Sequence, residues 1–311
     1  MPLAIPEKLV TQNTSLFFIQ PKFTTHGEFH LSDDAAAKRQ QKVMDDPAYR
    51  LAYLDPDYIR REDLRPLRLE LELLKPEMLL EEKGIRSTIV VFGGTQIKES
   101  SEANQLLSDA EAELKANPKS EAAERKIEVA KNYVAKSRYY DECREFSSMV
   151  SQYALSLSNG EFVIKTGGGP GIMEAANRGA FDVGAPSIGL SILLPFEEKP
   201  NSYITPGMAF QFNYFAIRKM HFLLRAKALI CFPGGFGTLD EFFTAITLRQ
   251  TERMQDVPII LYGEDYWKSI LNFQFLADQG VIQDRHLKLF TYADTPQDCW
   301  QQIVDFYGIE P

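Results

Sequence analysis

Ala228-Leu229-Ile230-Cys231-Phe232-Pro233-Gly234-Gly235-Phe236-Gly237-Thr238-Leu239-Asp240-Glu241 is the stretch whose reading decides the fold. Its first five residues are apolar and rich in strand formers, which predicts a buried strand. Phe242 to Thr251 then predicts a helix, with apolar residues at Phe242, Phe243, Ile246 and Leu248. A strand, a glycine turn and a helix start in succession suit a phosphate. Glycine lets the backbone approach a ligand closely, and the first N–H groups of a helix have no internal partner. Thr238 stands at an expected N-cap, and Glu241 three residues later completes a capping box. On that reading Glu241 has a structural job, which competes with a chemical one.

Two more strands end in glycine. Thr88-Ile89-Val90-Val91-Phe92 runs into Gly93-Gly94-Thr95, and Phe162-Val163-Ile164-Lys165 into Thr166-Gly167-Gly168-Gly169-Pro170-Gly171. One such loop is a weak signal, because tight strand-to-helix turns use glycine anyway. Three on one sheet converge on its carboxyl edge, where parallel sheets hold ligands. The middle loop lacks Gly-Lys-Ser/Thr and is therefore not a nucleoside-triphosphate P-loop. Pro170-Gly171 also breaks the G-x-G-x-x-G spacing, which leaves a dinucleotide site as a minor alternative, with Glu197 or Glu198 in the place of its ribose-binding acid.

Further strands are expected at Ser187–Leu194, Val257–Tyr262 and near Leu289–Thr291, with helices at 172–181, 213–226, 266–277 and 296–306 between and after them. This alternation predicts an α/β fold with a doubly wound parallel sheet over 85–311. Residues 1–84 read as a helical N-terminal extension, with a helix over 33–53, a turn at Asp55-Pro56-Asp57 and a leucine-striped helix over 63–83. Pro76 is expected to kink or divide that last helix. A charged, alanine-rich stretch over about 99–138 exceeds what a crossover needs. It reads as an inserted helical arm broken at Asn117-Pro118, with a helix resuming at Tyr139. The extension carries no catalytic constellation and reads as packing against the core or building an oligomer interface, with an assembly or regulatory role for it and the arm as a further option.

The 311 residues carry a formal net charge of −9, which argues against a general nucleic-acid binder. Cys143, Cys231 and Cys299 are odd in number and widely spaced, unlike a disulfide or zinc framework. With neither a signal-like start nor an apolar run of membrane length, the expectation is a soluble, cytoplasmic protein. Arg218 lies on the helix before the opening strand, on one face with Phe215 and Phe222. Its planar fork of donors suits a phosphate or a purine edge, against the plain reading of a solvated helix residue. His221 is expected to be an ordinary partly buried histidine, and Cys231 a core residue.

Gly167-Gly168-Gly169-Pro170-Gly171-Ile172-Met173-Glu174, Arg218-Lys219 and Pro233-Gly234-Gly235-x-Gly237-Thr238-x-x-Glu241 together resemble the signature of the LOG (Lonely Guy) family. Its members are phosphoribohydrolases of nucleoside 5′-monophosphates, many of them mislabelled lysine decarboxylases. The resemblance spans roughly 85–305. It implies a Rossmann-like sheet, a homodimer or larger homo-oligomer, a nucleoside monophosphate substrate, and neither metal nor redox cofactor. Arg218 and Glu241 match the catalytic pair, and Gly234, Gly235, Gly237 and Thr238 the phosphate-cradling turn. Lys219 and Thr247 match secondary substrate contacts, and Glu197 or Glu198 a further acidic one. With Gly93, Gly94, Thr95, Gly168, Gly169 and Gly171 from the other two loops, these are the expected site residues. Short plant-type members lack the extension and the arm, and this chain looks more like larger bacterial relatives. That shifts the expected substrate from a cytokinin precursor towards AMP or another ordinary monophosphate. A protein of the same fold that binds a nucleotide without cleaving it is the alternative.

Overall fold

The computed structural model describes residues 32–195 and 199–310. The chain divides into two compact units, Met1–Arg61 and Glu62–Pro311. In the first, helix α1 (Asp33–Asp45) starts at Ser32, whose Oγ accepts the Ala35 N–H. It ends eight residues short of the expected Tyr53. Asp46 caps a 3-10 turn begun by Pro47, whose missing N–H cannot continue the helix. Asp55 likewise accepts from the N–H groups of Asp57 and Tyr58, so the expected turn is the start of a short helix, α2 (Pro56–Ile59).

The second unit opens with α3 (Arg65–Glu82), then β1 (Thr88–Phe92), α4 (Ser100–Ala116) and α5 (Glu121–Leu157). Next come β2 (Val163–Thr166), α6 (Ile172–Asp182), β3 (Ser187–Ile192), β4 (Ala209–Phe212) and α7 (Phe215–Leu223). The chain continues with β5 (Ala226–Cys231), α8 (Phe236–Gln250), β6 (Ile259–Tyr262), α9 (Glu264–Ile270) and α10 (Phe273–Asp278). It closes with β7 (Thr291–Ala293) and α11 (Pro296–Tyr307). The seven strands among the described residues are parallel, in the order β4-β3-β2-β1-β5-β6-β7. The chain is thus an α/β protein with a doubly wound parallel sheet. Winding reverses between β1 and β5, which opens a crevice past their carboxyl ends.

Strand alternation splits the core in two. Ile89 and Val91 of β1 share one cluster with Ile164, Ile230, Phe146 of α5 and Ala176 of α6. Val90 and Phe92 point the other way, with Leu229, Leu80 of α3, Phe222 of α7 and Phe242 of α8. Burial on both faces explains why β1 carries four consecutive apolar residues, Ile89 to Phe92, rather than an alternating pattern.

Several expectations change. The arm and the following helix are continuous: α5 runs 37 residues through Tyr139 without a break. Buried alanines (Ala103, Ala110, Ala123, Ala130) let α4 and α5 approach closely. β4 was not among the expected strands, and the predicted helix over 266–277 is two short helices. Pro76 neither divides α3 nor ends it. A proline cannot donate to the carbonyl four residues back, here that of Glu72. His221 Nε2 lies 3.1 Å from that oxygen, which can only accept, so the ring donates there and fills the gap.

Candidate active site

The helix after the opening strand starts earlier than its sequence suggests. α8 begins at Phe236 with Gly235 as N-cap, and no side chain caps it. Thr238 is therefore at the third helical position, buried, and Glu241 is in the second turn. The expected capping box does not exist, and Glu241 has no capping role. The N–H groups of the first turn are left for a ligand.

A cavity of about 360 Å³ lies over this helix start. Of the expected site residues, Gly93, Gly94, Thr95, Gly168, Gly169, Gly235, Gly237, Thr238, Arg218 and Glu241 line it. Gly234 lines an adjoining cavity instead. Lys219, Thr247 and Gly171 line neither. The Lys219 Nζ is 2.6 Å from Asp240 Oδ1, and Thr247 is exposed on α8. Gly171 serves the backbone: at φ +71° it begins α6, and a Cβ would stand 2.3 Å from the Gly94 carbonyl. That carbonyl accepts the Ile172 N–H at 3.1 Å, so the middle loop is tied to the first. Glu197 and Glu198 lie outside the described residues. Sequence reasoning missed Met173, Ser191, Ile192, Leu194, Lys199, Pro200 and Phe236 as lining residues. Gly167 also lines the cavity, and it and Phe236 stood inside recognised loops.

Arg218 is held on three sides. Its Nε donates to the Leu190 carbonyl at 2.7 Å, and its guanidinium carbon sits 4.8 Å from the centre of the Phe222 ring. Its Nη1 lies 3.6 Å from Glu241 Oε1. The absent side chain at Gly167 makes room, since a Cβ there would meet the guanidinium at 2.7 Å. Both members of the pair are largely buried, with side chains 13% and 15% exposed. Opposite charges at that distance attract by about 4–5 kcal/mol at an effective dielectric near 20, which should depress the carboxyl pKa. Burial outweighs this and the Glu241 carboxyl is pushed up to about 7, with Arg218 and Lys219 opposing and Asp240 assisting. At 3.6 Å the pair is an ion pair beyond hydrogen-bond length, which leaves the carboxylate lone pairs available to a ligand or a water.

α7, which carries Arg218, is fixed from beneath. Lys165 on β2 is fully buried, and its Nζ donates to the carbonyls of His221 (2.8 Å) and Leu224 (2.9 Å) at the end of α7. Burial lowers its pKa to about 7. This lysine does not line the cavity.

The family model described as "Possible lysine decarboxylase" matches residues 173–303. A probable cytokinin riboside 5′-monophosphate phosphoribohydrolase LOGL3 of Oryza sativa subsp. japonica is 24% identical over 158 residues, 48% of this chain and 71% of that one. The cytokinin riboside 5′-monophosphate phosphoribohydrolase LOG3 of Arabidopsis thaliana is 26% identical over 175 residues, 55% of this chain and 77% of its own. Among solved structures, the molybdenum cofactor binding protein of Rippkaea orientalis aligns with 71% of this chain and 98% of its own, at 17% identity and a TM-score of 0.42.

Proposed function

We propose that the chain is an enzyme of the LOG family, which hydrolyses the N-glycosidic bond of a nucleoside 5′-monophosphate, AMP or a cytokinin riboside monophosphate. The products are the free base and ribose 5-phosphate. The observation that carries the reading is the buried Arg218–Glu241 pair, set one helical turn past an uncapped helix start in the same cavity.

The 5′-phosphate binds the open N–H groups at the start of α8, where the helix dipole favours an anion. Anchoring the phosphate brings the ribose beside Glu241 and converts binding into orientation. Breaking the bond to the base builds positive charge on the sugar. The Glu241 carboxylate stabilises that charge and takes a proton from the attacking water. Its raised pKa suits the second task, because a base works best with a pKa near the working pH. Arg218 keeps the carboxylate ionised and presents its remaining donors to the phosphate or the departing base.

A lysine decarboxylase needs a reactive amine in the cavity. The buried Lys165 nitrogen is engaged by two carbonyls elsewhere, and Lys199, the lysine that lines the cavity, is exposed rather than buried, which weighs against that role. The family also leads us to expect a homo-oligomer.

Incubation with a panel of nucleoside 5′-monophosphates, read by chromatography, tests the reading. Free base and ribose 5-phosphate should appear in equal amounts from at least one of them. Tight binding without any free base would make the chain a nucleotide-binding protein instead.

A further inference from the structure

α7 carries Arg218 and also Lys219, so both cations that act on Glu241 ride on one helix of nine residues. The local sequence gives that helix no cap. Tyr214 is its N-cap and makes no side-chain cap bond, and Phe215, Ala216 and Ile217 of the first turn carry no acceptor that could reach back. The acceptor comes from α3 instead. Glu72 Oε1 accepts the Asn213 N–H at 2.9 Å and Oε2 the Tyr214 N–H at 3.1 Å, so one carboxylate spans both backbone groups. In a capping box a carboxylate from the same helix holds the N-cap N–H; here it comes from a residue 141 positions before Asn213.

The path from Glu72 to the site is short. Tyr214 gives its N–H to Glu72, and its carbonyl accepts the Arg218 N–H at 3.1 Å. Arg68, one turn before Glu72 on α3, donates from Nε to the Tyr214 hydroxyl at 3.3 Å. Beyond the other end of α7, Glu77 of α3 pairs with Arg225 at 2.9 Å. α3 therefore grips α7 on both sides of Arg218. What the grip sets is the 3.6 Å between Arg218 Nη1 and Glu241 Oε1, side chains on two separate helices. In a positioned site a misplacement of about 1 Å can cost about a hundredfold in rate. α3 precedes the first strand and lies outside residues 173–303, which the family model matches.

We propose that Glu72 is a positioning residue for Arg218: by holding the Asn213 and Tyr214 N–H groups it makes α3 part of what sets the Arg218–Glu241 pair. As a statement about catalysis this rests on the function proposed above; as a statement about the pair it stands without it. Glu72→Gln keeps the shape of the side chain and the backbone carbonyl opposite His221, but puts an amide donor where one of two acceptors was. That donor faces a backbone N–H and loosens the start of α7. Arg218 and Lys219 hold the Glu241 carboxyl down against burial, with Asp240 of α8 pushing the other way. Cations that sit less firmly let the carboxyl rise. Loss of the Glu72 charge acting through space would lower it, so the direction separates positioning from plain electrostatics.

A carbon-13 NMR titration of the Glu241 carboxyl, in the full chain and in Glu72→Gln, tests it, with Glu241→Gln assigning the signal. Beside it, kcat/KM is measured against pH with the nucleoside monophosphate that is cleaved fastest. In Glu72→Gln the Glu241 carboxyl should titrate about half a pH unit or more higher than in the intact chain. The acid limb of kcat/KM should move up with it, and the plateau above should fall about tenfold. A variant that melts lower but titrates and turns over as the intact protein does makes Glu72 merely structural, which overturns the inference and leaves the monophosphate reading intact. An intact protein that releases no base overturns the monophosphate reading. The carboxyl titration then decides the inference alone, and a Glu241 signal that stays in place or moves down overturns it.

Discussion

At the scale of single residues, the question is the charge state of Glu241. Burial pushes its carboxyl from the ordinary 4.5 up to about 7, against the pull of Arg218. The proposed mechanism needs the ionised form, which is lost as pH falls through the folded-state value. We expect kcat/KM to fall about tenfold per pH unit below 7 and to level off above it. A profile that rises towards acid would assign Glu241 the opposite role, that of a proton donor. The sequence named Glu241 and Arg218 through the spacing of two motifs. It misjudged the surroundings of Glu241, because a helix start capped by Gly235 and followed by Phe236 has no side-chain signature. Thr238 looked like the cap because its residue type is right. It is buried three positions further along.

At the scale of elements, α7 is the piece on which the site depends, and its support could not be read from the sequence. Lys165 at its end, His221 against the Glu72 carbonyl and the Arg225–Glu77 pair at 2.9 Å join segments about 60 to 150 residues apart. Lys165 looked like the end of a strand, and nothing local showed that its amine closes a helix. Lys165→Met should leave two buried carbonyls without a donor, a loss of about 2–5 kcal/mol in chemical denaturation. An unchanged midpoint would show that the helix end finds other partners. β4 escaped the sequence reading because four edge residues, alternately exposed and buried, give too short a pattern. The continuity of α5 was hidden by the change from an alanine-rich to an aromatic composition, which does not require a break.

At the scale of the whole molecule, three glycine turns and the alternation of strands and helices identified a doubly wound sheet. They could not give its strand order, because periodicity does not encode which strands are neighbours. The order places the turns after β1 and β5 side by side at the reversal of winding, where the cavity lies. Phe236 at that cavity is 92% exposed and Phe215 at the start of α7 is 55% exposed, apolar surface that the proposed homo-oligomer would cover. Sedimentation velocity should give at least twice the chain mass, and a monomer at micromolar concentration would refute the expected assembly. The central claim is that Glu241 does chemistry rather than hold a helix. The most direct measurement is AMP turnover and AMP binding by Glu241→Gln beside the intact protein. The account predicts that kcat falls by about a thousandfold or more, while the dissociation constant for AMP changes by less than about threefold. A variant that releases adenine at the intact protein's rate would contradict it.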